Sequence, residues 1–446
     1  MVGAGPVGLA LAILLAEEGI KGTIIDSAEE IYPGPRAISL DHDALRILQA
    51  VGVEGSFDQT SINKVIFKSP LFGEIARVNT SGKVDGHPKL VTFFQPQLER
   101  ALEKKLKEFN NFELFRGVTF HSFDEKKGIA FLGDKLDVKC RFLVGADGAN
   151  SLVRKSQGLD FKKRKVYQEE WLIVDAKDFE AKNGDQIEFN CDPRSPYPRI
   201  PAPGKRFRWE FKLNKGFSIP PGLQIERKAI YRFQASLAPR FSKGQCFLVG
   251  DAAHLTPPFA GQGLVSGLRD AFNLSWKLAF VLKKNGHKKI LESYDQERRP
   301  HAKSMINLAI WAGRVVMPSN FLMAFFIQGT VAGLGRLPFF KKYLLDFKIR
   351  PKNNFKRGLF IKGGGLFPQE VKDRRTFRLF GTGEDPTGLL SEKNRIRWEE
   401  NGGEILKLEG TFDSHQAIVV RPDQVIMHYG PIQKADKILS EVLNLI

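Results

Sequence analysis

Short, wholly apolar runs bounded by glycine alternate along this chain with longer stretches in which apolar residues recur at helical spacing. The clearest case is Phe247 to Leu274, FLVGDAAHLTPPFAGQGLVSGLRDAFNL. Phe247, Leu248 and Val249 read as a short buried strand, a loop rich in proline and glycine follows, and a long amphipathic helix starts near Leu264. Gly250 lets the backbone turn so that the Asp251 carboxylate faces outward rather than into the core. Gly261, Gln262 and Gly263 open the helix with backbone N–H groups, and the positive end of its dipole favours an electron-rich or anionic group. The same stretch also reads as a plain strand-loop-helix connection capped by an acid.

The first residues carry a second pattern of this kind. Gly3, Ala4, Gly5, Pro6, Val7 and Gly8 form G-x-G-x-x-G ahead of an apolar helix, and a strand from Thr23 to Ile25 ends in Asp26, about 20 residues on. In a dinucleotide fingerprint the first glycine makes the tight turn, the second admits a pyrophosphate and the third lets helix and strand pack closely. NAD and FAD both satisfy this motif; a flavin also offers ribityl hydroxyls to Asp251 and a pyrimidine edge to the helix start. Only Met1 and Val2 precede Gly3, where a strand of about five residues is expected. Either the strand begins upstream or the sheet is damaged at its centre, and a damaged sheet is expected to bind FAD poorly.

Further along, PGPRAISL carries Arg36 and leads into a helix from Asp41 to Gln49, and Gln95 begins another. Strands are expected at Glu113 to Phe115, Thr119 to Phe123, Ile129 to Leu132 and Leu136 to Val138, and RFLVGADGANSL puts Asp147-Gly148 at a strand's carboxyl end. From Trp171 the pattern changes to alternation in WLIVDA, DQIEFN, FRWEFKL and AIYRFQASLA, an antiparallel sheet whose Arg206, Arg208, Arg227 and Arg232 either meet an acidic substrate or form its polar face. Helical segments run from Leu264 to about Leu345, a basic linker PKNNFKRG follows, and the remainder is a smaller mixed segment with a helix from Gln433.

Composition narrows the function classes. Of 446 residues three are cysteines, Cys140, Cys191 and Cys246, without CxxC spacing, which argues against a disulfide framework or a metal site and for a reducing cytoplasm. A net charge of +18 suits anionic substrates or an acidic membrane surface, but the scattered basic pairs form no nucleic-acid stripe. The uncharged run Val315 to Gly335 is interrupted by Pro318, Asn320, Gln328 and several glycines, so a buried or interfacial helix is favoured over a membrane span.

In their order, the motifs Gly3 to Gly8, Asp147-Gly148 and Gly250-Asp251 resemble the class A flavoprotein monooxygenases, the group of para-hydroxybenzoate hydroxylase, and within it the 3-(3-hydroxyphenyl)propionate hydroxylases. PRAISLDHDALR, FFQPQLE, NCDPRSPY, RWEF, GDAAHLTPPFAGQG, RDAFNLSWKLAFVL, SYDQERRPHAKSMINLA and VVRPD extend the resemblance over nearly the whole chain. It implies an α/β fold: a Rossmann-like FAD-binding domain (1–160 and, with helices, 244–349), an inserted antiparallel β-sheet substrate domain (161–243) and an abbreviated thioredoxin-like C-terminal domain (350–446). FAD would lie on Gly3, Ala4, Gly5, Pro6, Val7, Gly8 and Asp26, flanked by Arg36 and Gln95, with Asp251 on the ribityl chain and Gly250, Gly261, Gln262 and Gly263 around it. Asp147 and Gly148 would serve both FAD and transient nicotinamide binding.

The implied reaction is NADH- or NADPH-dependent hydroxylation of a phenolic aromatic acid by O2 through a flavin C4a-hydroperoxide, with Pro257 and Pro258 holding a loop that shields the flavin. His254 reads as a base or, more plainly, as a local backbone partner. The family usually has Asn where Val265 stands, and the chain is shorter than its relatives between Leu213 and Ile225 and between Phe367 and Val419. These departures keep open a catalytically impaired flavin-binding homologue; charge and the apolar run keep open a membrane-associated quinone-type hydroxylase. A weak membrane-surface contact and a homodimer are further expectations.

Overall fold

The computed structural model describes residues 1–133, 136–162, 164–177, 184–213, 219, 223–284, 288–318, 320–337, 353–369, 375–409 and 415–446. The expected linker start, the helical continuation beyond 337 and most of the shortened stretch between Leu213 and Ile225 lie outside them.

Helix α1 (Pro6–Glu17) is apolar on every side and is buried from Gly8 to Ala16. A helix without a polar face belongs in the interior. It lies against α3 (Gln95–Leu106) and α5 (Gly263–Lys284), with α2 (His42–Ala50) beyond. Asp41 caps α2 by accepting from the Ala44 amide at 2.9 Å. Beneath α1 runs the parallel sheet. Strands β1 (Gly22–Asp26) and β4 (Phe112–Arg116) pair in parallel on one side, and β5 (Leu143–Gly145) and β11 (Cys246–Leu248) on the other. The two halves are joined by the stub at the chain's start. Val2 bridges Ile25 and Gly145 in parallel, donating to the Val144 carbonyl at 2.9 Å and accepting from the Ala146 amide at 2.7 Å. Val2 thus carries the ladder from Ile25 across to Gly145.

The second layer is an eight-stranded sheet. Its members are β2 (Lys64–Ser69), β3 (Gly73–Asn79), β6 (Arg164–Lys177), β7 (Gln186–Asn190), β8 (Tyr197–Ala202), β9 (Arg206–Lys212), β10 (Gln224–Leu237) and β12 (His254–Leu255). They run in the order β12-β10-β6-β9-β8-β7-β2-β3. The four alternating segments read from sequence are all present. Strands β2, β3, β8 and β12 were not expected there, and β2 adds to β7 in parallel rather than antiparallel fashion. This is a long-range pairing between residues more than a hundred positions apart, and no local period encodes it.

Helices α6 (Lys288–Val316) and α7 (Phe321–Arg336) cover this layer, and Pro300 sits within α6. The C-terminal segment contains β13 (Phe377–Thr382), α8 (Glu392–Glu400), β14 (Gly403–Leu408), β15 (Gln416–Val420), β16 (Ile426–Pro431) and α9 (Ala435–Leu443), with sheet order β14-β13-β15-β16. The first pair is parallel and the next two antiparallel, a thioredoxin-like arrangement in which only residues 409–415 join β14 to β15.

This segment is fastened by buried charge. Arg421 donates to Glu297 of α6 at 2.7 and 3.0 Å and to Asp423 at 2.7 and 2.8 Å. Lys277 of α5 reaches Glu297 at 2.8 Å, and Asn273 donates to both Glu297 and Asp423. Burial alone would raise the Glu297 carboxyl, but Arg421 and Lys277 outweigh it and hold it far below the usual range. Burial lowers Lys277 to about 8 against the pull of Glu297. Removing one partner of such a set strands the other as an unpaired buried charge. Arg421→Ala is therefore expected to lower stability by about 3–5 kcal/mol, read from the denaturant midpoint; an unchanged midpoint would show that the cluster does not fasten the C-terminal segment.

Candidate functional site

Three strand ends converge at one edge of the parallel sheet. At the first, Gly3 adopts φ +102°, and a Cβ there would lie 2.3 Å from the Ala146 carbonyl oxygen. A Cβ on Gly8 would lie 2.0 Å from the oxygen of Gly3. Gly5 differs, because nothing lies within 4 Å of its missing Cβ. The chain therefore needs glycine at Gly3 and Gly8 for its own packing, and leaves the Gly5 position clear for something that is not protein. Helix α1 begins at Pro6 with no side-chain cap, and while the Leu9 amide bonds Gly5 O at 2.9 Å, the amides of Val7 and Gly8 in the first turn have no partner further back in the helix. Asp26 stands beside them, accepting from Ala4 N at 2.7 Å and Ala28 N at 2.8 Å.

The Gly250-Asp251 end is held by a residue that the sequence reading passed over. Asp270 of α5, wholly buried, accepts from the Gly250 amide at 3.1 Å, from His254 Nε2 at 2.7 Å and from Arg298 Nε at 2.8 Å. Burial would raise its carboxyl, but His254 and Arg298 outweigh that and hold it below the usual range. His254 is thus sealed in the interior and bonded to a side-chain carboxylate, neither a backbone partner nor a base within reach of the cleft. With this anchor in place, Asp251 turns the other way. Its residue surface is exposed, and it has no hydrogen-bond or ion-pair partner among the described residues. Crowding by the surrounding chain pushes its carboxyl upward, opposed by His254 and Arg36.

Gly261, Gln262 and Gly263 lie at the start of α5, but in different states. The Gly261 amide is already used, donating to Pro258 O at 2.9 Å. The Gln262 side chain is buried, giving its amide N–H to Asp41 at 3.2 Å and accepting from Arg269 at 3.2 Å. Only the backbone at this helix start remains for a ligand, and the Gly263 Cβ position is open. Val265 is fully buried in the main core, so an apolar side chain suits its place. Gly267 was also missed; a Cβ there would lie 2.6 Å from Val7, which is wedged between Gly267 and Gly250.

Arg36 is exposed, and its loop is held in place by Gln95, whose oxygen accepts from Arg36 N at 3.2 Å and Ala37 N at 2.5 Å. Gln95 is itself buried, so it positions the loop. At the third strand end, Asp147 accepts from Ser151 Oγ at 2.5 Å and from the amides of Leu152 and Val153 at 2.7 and 3.1 Å, and Gly148 takes φ +75°. The Asp147 carboxylate is spent on the start of the short helix α4 (Leu152–Ser156), not turned to the cleft. Buried Arg154 joins this turn to the next by donating to Ala149 O and Ala252 O, both at 2.9 Å.

Across from these ends stands the inner face of the eight-stranded sheet. Phe259, following Pro257 and Pro258, packs edge-on against Trp171 at 6.1 Å and Phe233 at 5.5 Å. The four arginines expected to meet an acidic substrate are all committed. Arg208 is bidentate to Asp175 at 2.7 and 3.1 Å and donates to the carbonyls of Pro35 and Arg36. Arg227 shares Asp175, Arg206 pairs with Glu226 and Arg232 with Glu170. Their conversion from free cations to locked pairs comes from cross-strand register, which sequence spacing does not show.

The residues present fit FAD: an open pyrophosphate approach at Gly5, Asp26 beside it, a second open helix start at Gly263 and an outward carboxylate without a partner at Asp251. Comparison with known proteins agrees. Residues 1–209 and 216–309 match the family described as FAD binding domain. The chain is 31% identical over 417 residues to a 3-(3-hydroxy-phenyl)propionate/3-hydroxycinnamic acid hydroxylase of Comamonas testosteroni, covering 87% of this chain and 70% of that protein. A protein of the same name from Mycobacterium sp. (strain KMS) is 29% identical, covering 100% of this chain and 90% of the relative. Among solved structures, the flavin-dependent monooxygenase PieE with FAD and substrate superposes with TM-score 0.79 at 17% identity, over 100% of this chain and 98% of that one. The anhydrotetracycline hydroxylase OxyS of Streptomyces rimosus gives 0.78 at 21%, over 100% and 97%. These two likenesses show a shared fold.

The two glycines separate fold from cofactor. Gly5→Ala is expected to keep its stability and to raise the FAD dissociation constant about tenfold or more, equivalent to about 1.4 kcal/mol, because the new methyl group enters only the ligand's space. Gly8→Ala is expected to destabilise by about 1–3 kcal/mol through overpacking. Flavin titration and thermal melts of both variants check this; the reverse assignment of effects would remove Gly5 from the pyrophosphate approach.

Proposed function

Since the chain belongs to the FAD binding domain family and is a class A flavoprotein monooxygenase, we propose that it hydroxylates a phenolic aromatic acid of the 3-(3-hydroxyphenyl)propionate kind. NADH or NADPH is the electron donor and O2 the oxidant. The observation that carries this reading is the unpartnered Asp251 at the meeting of three strand ends, opposite an aromatic sheet face, in a chain whose relatives bear that substrate's name.

When bound, FAD supplies hydride acceptance and oxygen activation. The chain's residues do the rest. The amides at the start of α1 receive the pyrophosphate, Asp26 the adenosine ribose and Asp251 the ribityl hydroxyls. Arg36 extends from its Gln95-held loop toward the cofactor side. Pro257 and Pro258 have little backbone freedom, and Phe259 is packed on Trp171 and Phe233, so the loop over the cleft excludes water by rigidity.

An exposed apolar tip supports a second, separate reading, a weak contact of this face with anionic membrane. Phe321, Leu322, Met323, Phe325 and Phe326, at the start of α7, are 48–69% exposed, on a chain of net charge +18. No single helix among the described residues is long and apolar enough to cross a membrane. Helices α6 and α7 reach that length and apolarity only as a pair, bent by 112°, and the contact proposed here is interfacial.

Asp251→Ala is expected to weaken FAD binding about 10- to 150-fold, the loss of one charged hydrogen bond at about 1.5–3 kcal/mol. In the parent protein, 3-(3-hydroxyphenyl)propionate should accelerate NADH oxidation and yield a hydroxylated product. A yellow protein whose NADH oxidation ignores phenols would favour a catalytically impaired homologue. For the tip, Leu322→Ser/Phe326→Ser should abolish flotation with vesicles containing phosphatidylserine. Equal flotation of variant and parent would exclude the tip, and a drop in oligomer size in the variant would assign it to a second copy of the chain.

A further inference from the structure

The inner face of the eight-stranded sheet holds a carboxyl that no part of the cofactor site uses. Along β9, Phe207, Trp209 and Phe211 point into one cluster with Val174 and Ala176. Alternation sends Arg208 and Glu210 to the opposite face. On that face Glu210 stands directly across from Ile173 of β6, with Trp171 and Asp175 on either side of Ile173. Ile200 of β8 is the cross-strand partner of Arg208. Both ends of this face are tied to the cleft. Arg208 reaches the carbonyls of Pro35 and Arg36, beside the cofactor loop, and Trp171 meets Phe259 of the shielding loop. Glu210 lies between them.

Glu210 is only 6% exposed and takes part in no hydrogen bond or salt bridge among the described residues. A buried carboxyl without a partner is costly, and such groups call for an explanation. Its neighbours do not supply one. Arg208 is spent on Asp175 and two carbonyls, Arg227 of β10 on Asp175, and Lys212 on Glu169 at 3.3 Å. Ile200 of β8 and Phe259 of the shielding loop belong with Trp171 and Phe233 to the apolar cluster of this face. Glu210 nevertheless keeps a small part of its surface open to solvent.

We propose that Glu210 is the acid–base group of the aromatic site, its carboxylate accepting the proton of the substrate's phenolic hydroxyl. This rests on the reading of the chain as a hydroxylase of phenols. The phenol O–H bond breaks, its electron pair stays on the phenolate oxygen, and a new O–H bond forms on Glu210. The proton returns to the product's oxygen as the product leaves, which regenerates the carboxylate. Phenolate is the more electron-rich ring, so the transfer prepares the substrate for an electrophilic oxygen. The same carboxylate repels the substrate's acid group, so the ring hydroxyl faces Glu210 and the side-chain acid points away, reversing the orientation that free arginines on this sheet would have imposed. Burial pushes Glu210 up to about 7, with Arg208 opposing and Asp175 adding to the rise. This brings it nearer to a phenol, which ionises near pH 10, as efficient proton transfer requires.

The test compares 3-(3-hydroxyphenyl)propionate with ring-fluorinated analogues acidic enough to be ionised at the assay pH. In the parent enzyme, kcat for the ordinary phenol should rise as pH passes through about 7, where the carboxylate form grows, while kcat for the ionised analogue should stay flat. Glu210→Gln should keep its flavin content, lose about 100-fold in kcat with the ordinary phenol, and regain most of that rate with the analogue. Equal losses with both substrates, or an unchanged kcat and pH profile, overturn the proposal. If the glutamine variant fails to fold, the two parent pH profiles decide alone, since parallel profiles for the two substrates overturn it equally. A parent enzyme that oxidises NADH without forming hydroxylated product overturns the functional reading itself, and this proposal with it.

Discussion

One buried carboxylate organises the cofactor edge of this molecule. Asp270 has no route to water, and its two oxygens accept from the turn at Gly250, the imidazole of His254 and the guanidinium of Arg298. Those three donors come from a strand-end turn, from β12 and from α6, so a single group fixes the relative placement of the parallel sheet, the edge of the substrate sheet and the covering helix. Two cationic or polarised partners compensate the desolvation of one anion. With the inward position filled by Asp270, the neighbouring Asp251 is left free to face outward, and this division of labour between two aspartates is what creates a ligand-facing acid.

The same rule governs the rest of the interior. A chain with net charge +18 buries Arg154, Arg208, Arg298, Arg378 and Arg421 almost completely, and the carboxylates of Asp175, Asp270, Glu297 and Asp423 are buried with them. Arg208 shows the functional consequence. By binding Asp175 and the carbonyls of Pro35 and Arg36, it uses its charge to join the substrate sheet to the cofactor loop. The excess positive charge is thus a property of the surface, and the aromatic side of the cleft is much less cationic than residue counts suggest. Glu210 then stands out on that face as the charge-bearing group without a bonded partner.

Close backbone approach is the second constraint. Gly3, Gly8 and Gly267 each sit where a Cβ would fall within 2.6 Å of another atom, and these contacts let α1 and α5 press onto the strand ends. Gly5 and Gly263 belong to the same motifs by spacing but have open space around them. Glycine therefore has two uses here, to let protein approach protein and to let a ligand approach protein, and a motif string does not say which is which.

The strand-turn-helix units at Gly3, Asp147 and Gly250, their order, the outward Asp251 and the alternating strands from Trp171 onward are legible in the residues alone. These are local properties: a glycine with positive φ, an apolar period of two or of 3.6, and an acid placed just after a strand. Tertiary structure alone decided the identity of the acid that anchors His254, the capture of Gln262 by Asp41 and Arg269, the use of Asp147 as a helix cap and the locking of the substrate-sheet arginines. It also turned part of the charged run DQERRPHAK into a buried network, through Glu297 and Arg298, and joined β2 to β7 in parallel. The physical reason is common to all of these. Whether a polar side chain is free or spent depends on which partner the fold brings within about 3 Å of it, and the Asp41 that takes the Gln262 amide lies 221 residues away.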